Sequence, residues 1–547
     1  MQLAAALLAA LLQGTPPAPS GASPAPSPSP IASPTVAPAL SAQPAAADHL
    51  YPGNVLRITI AGANGAVTAA IDNPIATWSV DQAAHVLTLT AGQTLGRATL
   101  TVTDATNQSI TVPVRVGLDA GTIAAQSLSL RYTGNPVDQA WLQKTVQKAL
   151  LQNVQSAPGA NPQTSFALPS ALAPGSIGAF DAQVQITGGD QYYPVNSVVN
   201  VNLQNVPTES FAPSLLLYDD DPEHITTEGV LYRGRVSPGQ PARLYYYHDN
   251  NNQPHDLVVA FSAPAGSATV QLIDVSRGPN IDVMTVGHFV TRDFLVQKPA
   301  NQGIIVTVDP QSPYVAERFP LTSLAGAAGT VDVRVVSGGP VDVTVLSVAP
   351  ETPDASIPSL LAQAKLPGDG HHRTGVFNVA GYAHEALSYT VGGEDASLNY
   401  GLQSPPVVEP PEGRDFGEYG VWRTIDFTVN NATGQPATIY LYESPMGGPL
   451  RSSFVINGAL PPIDVGCVRL SQRYQIGQPL TVQPGQSNIQ LQTMTDGGSN
   501  YPLEVGLTVT PPIPSAPPIT APDGCFPKTQ SSPSPASPTP APEPTGR

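Results

Sequence analysis

Side chains able to do chemistry crowd one stretch of this 547-residue chain. Seven of its nine histidines fall between residues 224 and 384. The densest acidic run, Asp219-Asp220-Asp221 followed by Glu223, adjoins them. Neutral imidazoles suit zinc or copper, so His248, His288 and His372 would hold Zn2+ or Cu2+ if they converged. Carboxylate oxygens on a loop suit Ca2+, which makes Asp219 and Asp221 candidate ligands. Their spacing is not that of an EF-hand loop, and Asp-Pro is a common turn. Arg292 beside Asp293, and Arg373 beside two histidines, are candidate ligand-binding residues. Tyr245, Tyr246 and Tyr247 alternate across a sheet. With one face buried, Tyr246 would be free to stack on a sugar. A plainer reading stands beside each: histidines bonded to nearby backbone, tyrosines packed in a core or at an edge, and a solvated acidic turn.

Signatures of catalysis are missing. The chain has no G-x-S-x-G elbow, no H-E-x-x-H helix and no P-loop; His384-Glu385 lacks a second histidine. Paired carboxylates in a β protein come from distant strands and leave no spacing to read. The expectation is therefore a non-enzymatic protein with no resident cofactor. The alternative is a secreted hydrolase acting on cell-wall or extracellular polymer.

The elements that must carry these residues are mostly strands. Charged residues make up 12% of the chain and aromatics 6%, with 61 prolines and 48 glycines. That composition suits loop-rich all-β modules. The fold class expected is mainly β: tandem Ig-like or β-sandwich domains, one small α+β module and disordered Pro-rich tails. Alternating strands separated by turns about every ten residues mark a sandwich over 49–117, with Trp78 placed in its core. In the α+β module, 122–207, Asn135 and Pro136 read as N-cap and first helical residue. Leu142, Val146, Leu150 and Val154 then recur at helical spacing, the one convincing helix after the N-terminal apolar run. Two larger sandwiches follow, 211–349 and 370–510, joined by a linker at 350–369.

Residues 1–14 hold an apolar run of signal-peptide length, too short to span a bilayer comfortably. Residues 15–47 and 511–547 are Pro-, Ala- and Ser-rich and cannot bury enough apolar area to fold. The expected location is extracellular or in the cell envelope, with no membrane span beyond the signal-like segment. A net charge of −17 argues against nucleic acid as a partner. An envelope or extracellular polymer or protein is expected instead.

Two resemblances sharpen this outline. Asn73-Pro74-Ile75-Ala76, followed by Gly96-Arg97-Ala98-Thr99-Leu100-Thr101-Val102, resembles the bacterial Ig-like group 2 domain, over about 49–117. That family occurs in adhesins, surface enzymes and spacers, so it implies fold more than function. Over about 211–510, the ordered motifs LLLYDDDPEHITTEGVLYRGRV, ARLYYYHDN, VGHFVTRDFL, GHHRTGVFNV and GEYGVWRTIDFTVNN are similar to a family of uncharacterised exported bacterial proteins. Many of these carry a copper amine oxidase N-terminal (stalk) domain. The resemblance implies fold and export. It does not imply oxidase chemistry, because Asn399-Tyr400 is followed by Gly401 and Asn500-Tyr501 by Pro502, which leaves no quinone precursor.

Function is expected in 211–510, as a binding, adhesion or spacer role, because nearly all the histidines and the acidic run lie there. The only cysteines, Cys467 and Cys525, are expected to pair in an oxidising compartment. The loop they close contributes about 4 kcal/mol by chain entropy, less any strain. Thiol titration of the exported protein should find no reactive cysteine; two reactive thiols would refute the bond.

Overall fold

The computed structural model describes residues 38–250 and 253–515. The signal-like run, most of the first Pro-rich segment, nearly all of the C-terminal tail and Cys525 lie outside the described residues. Cys467 is a disulfide half-cystine. Strands dominate, and among the described residues no helix is long and apolar enough to cross a membrane.

The chain forms two compact units. The first comprises residues up to Ala120 together with Gly188–Tyr193. It is a sandwich of two four-stranded sheets. One sheet orders Ser41–Gln43, Val55–Ala61, Val86–Ala91 and Ala76–Asp81; the other orders Ala47–Leu50, Ser109–Val116, Gly96–Thr103 and Thr68–Ile71. Alternation drives Ile58, Ile60, Leu87, Leu89, Leu100, Val102, Val112 and Val114 into one core. The hydroxyl of Tyr193 accepts from the Leu50 N–H at 2.7 Å. Two expectations need correction. The sandwich begins near residue 40, inside the stretch assigned to the linker, because Leu40, Ala42 and Ala47 join the core. Trp78 is 39% exposed, since Ala76–Asp81 is an edge strand.

The second unit spans Gly121–Thr187 and the chain from Pro194 onward. Its spine is one twelve-stranded sheet. Ser127–Thr133 pairs parallel with Val195–Asn205 and antiparallel with Gly303–Val308. The α+β module and the first large sandwich therefore share a sheet and are not separate modules. Further along, Leu215–Asp219 pairs with Thr374–Asn378, so the strand expected to open the last sandwich belongs to this spine. A four-stranded sheet, Gly229–Val236, Val341–Val348, His255–Ser262 and Tyr314–Leu321, faces it. The last sandwich is built from two five-stranded sheets carrying Ile425, Phe427, Leu441, Leu491 and Val505 in its core.

Helix α1, Gln139–Gln152, buries Leu142, Val146 and Leu150 on the spine, as the spacing requires. Its N-cap is Asp138, whose Oδ1 accepts from Ala140 N at 2.6 Å and Trp141 N at 3.2 Å, not Asn135. A second helix, α2, covers Val283–Gln297 behind the N-cap Asp282. It was hidden because β-branched residues lower its helix propensity and because apolar residues occupy most of its faces. That all-round hydrophobicity has a cause: α2 packs on the spine strands Ala268–Asn280 and Gly326–Gly338 and also touches Leu450–Ile456 of the last sandwich.

A buried charge network reinforces the same junction. Asp332 accepts from Arg243 at 2.6 Å and from Lys298 at 2.7 Å, while Arg243 also donates to the Gly420 carbonyl at 2.9 Å. Phe294 of α2 lies under the Arg243 guanidinium, 4.7 Å away, and edge-on to Trp422. Phe294→Ala should cost about 3–5 kcal/mol in urea unfolding, against little change for Val198→Ala, whose side chain is exposed. A cost for Phe294→Ala near that of the control would contradict this packing.

Candidate functional site

The polar residues singled out from sequence separate into two clusters and one outlier. The larger cluster grows from the C-terminal ends of two parallel strands. Leu215–Asp219 runs parallel to Ala242–Asn250 and antiparallel to Thr374–Asn378. Leu216, Leu217, Tyr218 and Asp219 are all buried. The chain thus delivers Asp219, Asp220 and Asp221 at the strand end, where His248 also arrives. Pairing opposite Thr374 brings in the 365–374 loop with Arg373 and His372.

Within this cluster the charges find one another. The His248 ring is buried between two acceptors. Its Nδ1 lies 2.8 Å from the Pro222 carbonyl and its Nε2 2.9 Å from Asp219 Oδ2. A carbonyl only accepts, so Nδ1 carries a proton. Burial opposes the imidazolium, but the Asp219 carboxylate and the Pro222 carbonyl outweigh it, and the pKa is raised. With both nitrogens engaged, His248 has no lone pair for a metal. Arg373 contacts Glu223 and Asp369 and lies 3.9 Å from Asp220. Burial disfavours its charge, yet these carboxylates raise its pKa further. Asp369 drops to about 2; burial would push it up, but the His371 N–H and Arg373 prevail. Burial holds the Asp220 carboxyl well above the usual range. Asp221 Oδ1 accepts from the Asp369 N–H at 2.5 Å, and burial raises its carboxyl too.

Beside these pairs lies an open cleft of about 470 Å³ lined by Asp221, Lys365, His372, Thr374 and Glu412. Gly368 lets the loop lie on Asp221, since a Cβ there would stand 2.3 Å from Asp221 Oδ2. Lys365 Nζ is 3.5 Å from Thr374 Oγ1. His372, exposed at a positive φ of 59°, faces this cleft, not His248. Lys365 and Glu412 carried no sequence signal; only the GHHRTG motif, which contains Thr374, pointed there.

The second cluster sits where α2 meets the last sandwich. His288 Nδ1 lies 2.6 Å from Asp496 Oδ2, and both are fully buried. Burial takes the imidazole down to about 3 and lifts the Asp496 carboxyl well above its usual range. The contact has the geometry of an ion pair, but burial favours the neutral form, with the Asp496 hydroxyl donating to Nδ1. Ser453 Oγ is 3.5 Å from the same nitrogen. A hydrolytic triad needs serine and carboxylate on opposite ring nitrogens and open to substrate; here they share one and all three residues are buried. Arg292 is held by Asp464 at 3.1 Å.

His248, His288 and His372 therefore do not form one metal site. Copper or zinc does not fit that set: one ring is doubly bonded, one is buried against Asp496, and one faces the cleft. Asp219 is likewise committed to His248 and Asp221 to the Asp369 N–H, so the expected calcium pair is not assembled. Tyr246 is the outlier. It is fully buried in the sandwich core, because both faces of its strand are covered, and offers no platform for a sugar. Among the described residues, the ligand atoms of Glu223, His224 and Asp249 do gather, all within 4.8 Å of one another.

No family model and no curated protein matches the chain. Among solved structures, Drosophila N-cadherin EC1-4 aligns at 10% identity over 31% of this chain and 50% of that one, with a TM-score of 0.15. Tripeptidyl peptidase 2 aligns at 8% identity over 87% of this chain and 34% of its own, at 0.14. The Bacteroides ovatus mixed-linkage glucan utilization locus protein SGBP-B, in complex with mixed-linkage heptasaccharide, aligns at 11% identity over 54% and 71%, at 0.12. Scores this low carry no argument about fold or function. The chain spans half of the cadherin chain and about a third of the peptidase chain.

The His248–Asp219 pair gives a pH test. A histidine whose folded pKa is raised contributes fully below its unfolded value of 6.5 and loses that contribution as pH rises through the folded value. Urea stability should fall from pH 6 toward pH 9. His248→Gln should lose about 3–5 kcal/mol at the acidic end, through the unpaired Asp219, and show a shallower fall. An unchanged slope in the variant would contradict the assignment.

Proposed function

We propose that this chain is an exported, non-enzymatic binding protein of the cell envelope or extracellular space. Its recognition surface is the cleft beside Asp221, and its ligand is a polar segment of an envelope or extracellular polymer. One observation carries the reading: a cleft of about 470 Å³ with mixed polar walls adjoins a scaffold whose charged groups are already paired. Ligand sites are typically about 300–1,000 Å³ with a few convergent polar groups. A general base or nucleophile has to reach its substrate with a usable lone pair. His248 is engaged at both nitrogens and Arg373 among three carboxylates. Such groups hold a shape. The exposed cleft groups Lys365 and Glu412 remain to meet a ligand. The acidic net charge and the Ig-like resemblance of the first unit fit display outside the cell.

Pull-down of isolated, insoluble envelope polymers by the full chain tests this. Retention should drop at least about tenfold in Lys365→Ala with Glu412→Ala, as expected when interactions worth about 1.4 kcal/mol or more are lost. Equal retention by this variant would contradict the reading, as would release of soluble fragments from the polymer.

A further inference from the structure

We propose that Glu223, His224 and Asp249 form a divalent transition-metal site, and that its ion is Zn2+. The site is separate from the cleft, and the inference does not depend on what the cleft binds.

Each of the three residues offers a ligand atom, and these atoms lie within 4.8 Å of one another. Tetrahedral bonds of about 2.0–2.2 Å to imidazole and carboxylate put ligand atoms about 3.3–3.6 Å apart, so side-chain rotation from this gathering would close the site. The backbone sets the geometry before any ion arrives. His224 is the register partner of Asp249 across a parallel bridge. The Asp249 N–H donates to the Glu223 carbonyl at 2.9 Å. Glu223 is steadied through Oε2 by Arg373, which leaves Oε1 for a ligand bond. His224 Nδ1 already sits 2.5 Å from Asp249 Oδ1, sharing a proton that an ion would displace. The His224 side chain is 57% exposed, so ions can enter and water can complete the coordination.

A second observation points to a cation. Asp220 is 7% exposed, its Oδ1 has no hydrogen-bond partner among the described residues, and its charged neighbours include Glu223, Arg373 and His248. Buried carboxyl oxygen without a donor is costly, and a nearby cation would relieve that cost. The donor set selects the metal class. One imidazole with two carboxylates suits zinc, whereas Ca2+ takes six to eight oxygens. The ion would tie the turn after Pro222 to the end of the strand Ala242–Asn250.

Calorimetric titration of the chelator-treated full chain with ZnCl2 tests this. One equivalent should bind. His224→Ala and Asp249→Asn should each weaken binding by at least about tenfold, the scale seen when a metal's supporting groups are removed. His371→Ala with His372→Ala, removing the two exposed imidazoles of the 365–374 loop, should leave it unchanged. Urea unfolding without zinc controls for folding, and Co2+ in place of zinc should give a visible absorption that His224→Ala abolishes. The proposal is overturned if the full chain takes up no zinc, if His224→Ala binds as the parent does, or if the site is lost in the His371/His372 variant instead.

Discussion

Everything at the polar end of this molecule depends on one strand, Leu215–Asp219, hydrogen-bonded on both sides by strands far away in sequence. Its residues are buried, so the chain leaves the sheet with three aspartates in a row and no water to solvate the first. Burying a carboxylate is tolerable only when it is paired or bonded. Asp219 finds His248 across the parallel register. Asp220 takes the Tyr218 hydroxyl at 3.2 Å and faces Arg373. Asp221 takes a backbone N–H from the loop that folds over it. The position of the 365–374 loop, and with it the cleft, follows from these obligations.

Two buried histidines show how environment decides chemistry. His248 lies between two acceptors and holds its proton; His288 lies between layers of a helix and a sandwich and loses its own. The first pair is ionic, the second neutral, though both contacts are short nitrogen–oxygen approaches to an aspartate. The first stabilises the turn beneath the cleft. The second, with Arg292 and Asp464, keeps polar groups matched where α2 is pressed against the last sandwich.

Much of the fold was legible because strand alternation and turn spacing are local. The core of the first sandwich follows from the period-2 pattern of Ile58, Ile60, Leu87 and Leu89, and α1 from Leu142, Val146 and Leu150. The α2 helix was not legible, since burial on several faces erases the amphipathic period. Nor was the continuity of the spine, because the pairings of Ser127–Thr133 with Gly303–Val308 and of Leu215–Asp219 with Thr374–Asn378 are non-local. At the site, composition pointed to Asp219, Asp221, His248, His372 and Arg373, which do gather at one end. It placed His288 with them wrongly, and missed Lys365 and Glu412, which sit in loops without periodicity. Tyr246 failed for a related reason: its strand has cover on both faces, which alternation alone does not reveal.

The central claim is that a paired, charged scaffold presents one open cleft for recognition. Hydrogen–deuterium exchange of the full chain, with and without solubilised envelope polymer, measures this most directly. Recognition at the cleft slows exchange in residues 365–374 and 410–413, with little change over 49–117. Slowed exchange confined to 49–117, or none in the cleft loops at polymer concentrations that saturate binding, would contradict the account.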